Sequence, residues 1–142
     1  MRKWMLIAAA ALPVLGLAAE IEPGSWQFTV NVKAEGLGAF QPKPGPVVNT
    51  RCITPEQARN PAKVMSEAGA RGECQFSNER DTGSEFSFDV RCKGRVPMEG
   101  SAKMRYTART LDGDLSLDGD ARGMQFTTRS HVSARRLGPC SS

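Results

Sequence analysis

Polar and apolar residues alternate with a period of two through most of the chain. In WQFTVNVK, Trp26, Phe28, Val30 and Val32 fall on one side, and Gln27, Thr29, Asn31 and Lys33 on the other. This is the pattern of a strand with one face buried. CQFSNERDTGSEFSFDVRC repeats it as a hairpin. Cys74 and Phe76 share a face before a turn at Asp81–Thr82–Gly83, and Phe86, Phe88, Val90 and Cys92 return on that face. SAKMRYTAR sets Met104, Tyr106 and Ala108 against Lys103, Arg105 and Arg109. Asp-Gly pairs then predict turns at Leu111–Asp112–Gly113 and at Asp118–Gly119–Asp120, bounding a short strand that carries Leu115 and Leu117. In GMQFTTRSHVSARRL, Met124 and Phe126 face inward. The pattern predicts an all-β domain, an antiparallel meander of about seven strands in a curved sheet or half-open barrel. Trp26, Phe28, Phe86, Phe88, Tyr106 and Phe126 are its expected core anchors.

One stretch breaks the alternation. Between Cys52 and Cys74, Thr54-Pro55 followed by Gln57 fits a capping box with proline at the first helical position. Asn60-Pro61 repeats the start signal, and Pro61 would interrupt a continuous helix. Two short helical turns, at about 55–59 and 61–67 and stopped at Gly69, are predicted. Residues 55–67 thus form a short helical insert that covers an open end or face of the sheet.

The first residues bear on compartment. MRKWMLIAAAALPVLGLAAE has a basic start at Arg2 and Lys3, an apolar run from Trp4 to Leu12, and small residues at Gly16, Ala18 and Ala19. That is the layout of a signal peptide over residues 1–19, and the apolar run is short for a membrane-spanning helix. Residues 20–142 then form a single disulfide-bonded domain of a periplasmic or secreted protein, with no membrane span once the leader is removed. Losing Arg2 and Lys3 takes the formal charge from +4 to +2, so the basic balance does not imply a nucleic-acid partner.

All four cysteines, Cys52, Cys74, Cys92 and Cys140, lie in that domain, and an even number in a small exported chain reads as two disulfides. Without a Cys-x-x-Cys pair, a zinc site is not indicated. Four cysteines admit several connectivities, and strand direction narrows them. If the turn at Asp81–Gly83 is at the top, Cys74 and Cys92 both lie at the bottom, and continuing the meander carries Cys140 to the top. A Cys92–Cys140 bond would then span more than about 20 Å, where a disulfide tolerates less than about 7 Å between Cα atoms. The expected pairs are Cys74–Cys92 and Cys52–Cys140.

Pro23-Gly24-Ser25-Trp26, Cys52-Ile53-Thr54-Pro55, the spacing of Cys74 and Cys92 around a hairpin, and Arg136-Leu137-Gly138-Pro139-Cys140 carry a resemblance. They resemble a family of exported bacterial proteins known as a domain of unknown function, number thirty-six seventeen. The resemblance spans nearly all of the chain after the leader and implies architecture more than chemistry. Members of that family often carry a loop rich in Met, Pro and Gly after the first strand. Here the loop is EGLGAFQPKPGP, without methionine, so a soft-metal site is not implied.

Candidate chemistry is sparse. DGDLSLDGD holds four carboxylates, but Leu117 stands where a calcium loop needs glycine. His131, the sole histidine, lies on the polar side with Arg129 and Arg135, and no Gly-x-Ser-x-Gly elbow or second ligand accompanies it. Lys103, Arg105, Arg109, Arg129 and Arg135 read as cross-strand partners of nearby acids. No catalytic residue, metal or cofactor is expected. Leu37 and Phe40, in the loop between Glu35 and Pro46, are the positions expected to touch a ligand or partner. Two function classes follow: a non-catalytic module binding a small apolar ligand or an envelope protein, and a structural or stress-related envelope protein without a ligand pocket. A connected apolar cavity beneath the aromatic anchors favours the first, and a filled core the second.

Overall fold

The structure, a computed structural model, describes residues 21–41, 43, 45–61, 63–64 and 74–141. The expected leader at 1–19 and the end of the helical insert, including Gly69, lie outside these residues. Seven strands, Gly24–Glu35 (β1), Val47–Ile53 (β2), Cys74–Asp81 (β3), Glu85–Cys92 (β4), Met98–Tyr106 (β5), Thr110–Ala121 (β6) and Met124–Gly138 (β7), form one antiparallel sheet. Its strand order is β2-β1-β7-β6-β5-β4-β3, with β2 and β3 as open edges. The chain is therefore all-β, and the sheet is not closed into a barrel.

Register turns the alternation into rows. Phe28, Ala134, Leu111 and Tyr106 stand side by side on one face, as do Val30, Val132, Gly113, Met104 and Phe86 in the next row and Val32, Ser130, Leu115, Ala102 and Phe88 in the third. Inner-face residues from every row meet in one apolar cluster. Trp26 and Phe86 are 0% exposed and Met104 1%, while Phe28 is only partly buried against them. Phe86 stacks on Phe88 and leans on Tyr106, with centroids 6.4 and 5.7 Å apart. The buried Tyr106 hydroxyl donates to Asp81 Oδ1 at 2.6 Å, and burial together with that hydrogen bond pushes its pKa up.

The upper end, where β1 begins and β2 ends, carries a lid. Thr54 and Gln57 form the expected capping box at the start of helix Pro55–Ala58 (α1). Asn60 then accepts from the Lys63 amide to start a second helical turn. Ala58, Pro61 and Val64 are buried, and Ala58 and Val64 join the cluster with Ile21, Trp26 and Ile53. Below the strands' upper ends, Ile21–Pro23 acts as a strap. The Trp26 indole donates to the Glu22 carbonyl at 2.9 Å, the Glu22 amide donates to Ala108, and the Glu22 carboxylate faces Arg109 and Arg136.

Two expected turns are absent. Asp112-Gly113 and Asp118-Gly119 lie inside β6, which runs unbroken from Thr110 to Ala121, and the reversals fall instead between Tyr106 and Thr110 and at Arg122–Gly123. Both glycines face the inner side, where a Cβ would not fit. One on Gly113 would strike Lys103 and Met104 of β5, and one on Gly119 would strike the Phe126 ring of β7. The glycines serve close strand approach and an aromatic packed over bare backbone, not a reversal. Ala108 and Arg109, expected in a strand, belong to the upper turn, and Met124 sits exposed beside the lower one.

The disulfides join Cys52 to Cys140 and Cys74 to Cys92. The second links directly opposed residues of β3 and β4. The first ties edge strand β2 to the tail beyond β7 at the upper end, so each disulfide secures a different end of the sheet.

Trp26→Ala should cost about 3–5 kcal/mol in urea-induced unfolding, because it opens a large cavity at the centre of the capped end; a loss below about 1 kcal/mol would show a ring that is not packed. Removing the disulfides separately gives a ranking. Cys52 and Cys140 are 88 residues apart and Cys74 and Cys92 only 18. Loop-closure entropy predicts losses of about 4–5 and about 3 kcal/mol respectively, so the Cys52→Ala/Cys140→Ala variant should unfold at the lower urea concentration.

Candidate functional site

Below the capped end, a groove runs along the lower margin of the sheet and is bordered by residues of both faces. The row Phe126, Gly119, Met98 and Cys92 crosses β7, β6, β5 and β4 at their lower ends, and it borders this groove, whose volume is about 680 Å³. Half-buried Met98 and exposed Pro97 border it, and Phe126 beside them is only 8% exposed. Around it stand Glu35, Glu99, Asp118 and Asp120, with Arg91 and Lys93 on the β4–β5 side. Most of these charges are engaged. Arg91 reaches Glu99 at 3.2 Å, Thr127 donates to Asp118 at 2.7 Å, and Asp120 accepts from the Gly123 amide at 2.6 Å. Among the described residues, Glu35 and Lys93 have no ion-pair partner and remain free to meet a polar ligand group.

The loop expected to make contact borders this groove through Gly36. Leu37 is half-buried at the start of a single 3₁₀ turn, Gly38–Phe40; the Phe40 side chain lies outside the described set. Of the aromatic anchors, Trp26, Phe86, Phe88 and Tyr106 are brought together in the capped core with Phe28 at its margin, whereas Phe126 lies apart, at the groove. Neither this groove nor a second one runs beneath all six. The second, more polar groove of about 870 Å³ lies between β3 and β6 and is lined by Gln75, Asn78, Asp89 and Ser101 among others.

The outer face carries an arrangement of which the expected turn at Leu111–Asp112–Gly113 would have removed one member. His131 lies opposite Asp114 across β6 and β7. Its Nδ1 is 2.9 Å from Asp114 Oδ1, and its Nε2 is 3.1 Å from Asp112 Oδ2. Two acceptors on opposite sides of the ring favour imidazolium, in which both nitrogens donate. The pKa is raised above its ordinary value, chiefly by the hydrogen bond to Asp114, with Asp112 adding to it and desolvation opposing. Arg105 stands 3.9 Å from Asp112, and Lys103 pairs with Glu85 at 3.5 Å, so these two neutralise acids on neighbouring strands, whereas Arg109 meets Glu22 of the strap and Arg135 hydrogen-bonds Gln27. With Asp112 placed in a turn, only Asp114 is left on the strand beside that of His131; in-register alternation along 110–121 is the signal that could have shown both. Among the described residues, no group of three or more His, Cys, Asp or Glu side chains is placed to hold a metal ion, and no helix is long and apolar enough to cross a membrane.

Residues 21–140 match the family described as "Protein of unknown function (DUF3617)". No curated protein and no solved structure matches the chain.

The histidine cluster gives a pH dependence with a definite sign. Because the folded-state pKa of His131 is raised, the stabilisation is fully present below the unfolded value of about 6.5 and is lost as pH rises through the folded value. In an NMR titration the single histidine should show a midpoint above about 6.5. Asp114→Asn should lower that midpoint more than Asp112→Asn does, and equal effects would contradict the assignment of Asp114 as the main cause.

Proposed function

The chain belongs to the DUF3617 family, and from its geometry we propose that it is an exported, non-catalytic binding module of the bacterial envelope. It takes the apolar body of a small amphiphilic ligand in the lower groove. The observation that carries this reading is the contrast between the two ends of one apolar face. At the upper end Trp26, Phe86 and Met104 are sealed, while at the lower end half-buried Met98, with Phe126 8% exposed beside it, borders an open groove rimmed by charge. Apolar surface with a few polar groups at its margin is the usual composition of a small-molecule site. Glu35 and Lys93 are placed to meet the ligand's polar head.

Export is supported by the leader-like pattern of residues 1–19 and by two disulfides that reducing compartments do not sustain. The non-catalytic role is supported by His131, whose ring is held by two carboxylates and not by a hydroxyl or thiol nucleophile. The filled upper core favours a second reading, a structural envelope protein without a ligand.

Native mass spectrometry of protein purified from its own envelope should reveal a bound adduct, and folded Met98→Arg should lose it together with binding of the apolar dye N-phenylnaphthylamine. A bare polypeptide mass with no dye binding would replace the binding reading with the structural one.

A further inference from the structure

The two edges of the sheet are built differently. β3 is guarded. Its register on β4 jumps between Ser77 and Arg80, Asn78 adopts a φ of 52° and bonds Asp89 at 2.7 Å, and Glu79, Arg80 and Asp81 follow. A bulge and a run of charge are the usual devices that stop a sheet edge from recruiting another strand. β2 has neither. Its seven residues, VVNTRCI, pair with β1 without a register break, and they include one charge, Arg51, and no proline. Every residue from Val47 to Cys52 is exposed, with Val47 at 55% and Val48 at 53%. The strand is nevertheless held in place by the β1 ladder, by buried Ile53 and by the disulfide from Cys52 to Cys140. An ordered, nearly uncharged strand that leaves both faces and its outer hydrogen-bonding edge open is a template for another strand.

We propose that the occupant is β2 of a second copy of this chain, paired antiparallel about a two-fold axis at Thr50. The sequence is self-complementary in this register. Val47 faces Ile53, Val48 faces Cys52, Asn49 faces Arg51, and Thr50 faces its own counterpart. Exposed Val48 thus meets the disulfide-bonded Cys52 at both ends while Ile53 stays buried in its own core, the threonine hydroxyls meet at the centre, and neither Arg51 lies directly opposite the other, the arrangement that cross-strand energetics favours. The side chains also keep their faces. Val48, Thr50 and Cys52 continue the outer face of β1, on which their partners are Thr29, Gln27 and Ser25, and Val47, Asn49 and Arg51 continue the inner face. Two seven-stranded sheets would become one continuous sheet with the guarded β3 edges outermost. An isologous contact of this kind closes after two subunits, so it ends in a dimer and not a fibre. Seven residues per side form a small interface, and association should be weak and reversible. This inference uses a surface distinct from the lower groove and does not depend on a ligand there.

Sedimentation equilibrium of the purified protein should show a concentration-dependent monomer–dimer equilibrium. Thr50→Lys places two ammonium groups at the axis on an exposed site and should weaken dimerisation by about tenfold or more, while Ser77→Lys on β3 should leave it unchanged. Since all four native cysteines are bonded, an added one can be read alone: oxidised Thr50→Cys should form a covalent dimer far faster than Thr29→Cys, one strand inward on the same face. A protein that stays monomeric at millimolar concentration, or a Thr50→Lys variant that dimerises like the wild type, would overturn the proposal.

Discussion

A sheet that has no second layer can bury an apolar face only by curling over it and by borrowing a lid from its own chain. This constraint governs the arrangement of the described residues. Within the sheet β6 makes room for its neighbours with Gly113 and Gly119, whose missing Cβ atoms admit Met104 from one side and the Phe126 ring from the other. The lid comes from α1 and the turn after it, which bury Ala58, Pro61 and Val64, with Ala58 and Val64 in one cluster with Trp26. The lid seals one end. The other end keeps the same apolar rows with less cover, and there Phe126 and Met98 border a groove.

A sheet closed at one end concentrates its fastening there. Three connections converge on the upper end: the Glu22 strap onto Ala108, Arg109 and Arg136, the disulfide from Cys52 to Cys140, and the Trp26 indole bond back to Glu22. The exposed ion pairs of the outer face contribute little each. The disulfide that closes a loop of 88 residues, through the chain entropy it removes, and the burial of Trp26 therefore stabilise the fold more than those pairs do. The lower end relies on the short Cys74–Cys92 bridge and on ladder hydrogen bonds. Lower local stability there is compatible with a binding role, since sites that admit ligands are drawn from the less stable parts of a fold.

Much of the fold was legible because period-two alternation is a direct image of a one-sided strand. Trp26, Phe86, Phe88 and Tyr106 are core residues for that reason, and the capping box at Thr54 and Gln57 is a local motif that needs no tertiary knowledge. The disulfide pairs followed from strand direction alone, which the meander supplies. Asp112-Gly113 and Asp118-Gly119 misled because the same two letters serve a turn and a close strand contact, and only the neighbour across the sheet decides between them. That misreading then hid the strand register that sets His131 between Asp112 and Asp114. The groove was legible only in part. The loop after β1 was expected to meet a ligand or partner, and its Gly36 borders the groove, but Met98, Lys93 and Phe126 come together only when β4, β5 and β7 are aligned at their lower ends.

Charge on the outer face bears on which surfaces are left for recognition. Lys103, Arg105 and His131 each sit within reach of Glu85, Asp112 or Asp114, so part of the positive charge of that face is answered by acids one strand away. Those pairs weaken the field that the face could turn towards an anionic polymer. Among the described surfaces without an internal partner are places where the sheet stops: the lower ends of β4 to β7, and the outer side of β2, where a ladder of backbone groups reaches open space. The surfaces proposed above for a ligand and for a second copy both lie at these boundaries of the single sheet, away from the side chains that fill the top.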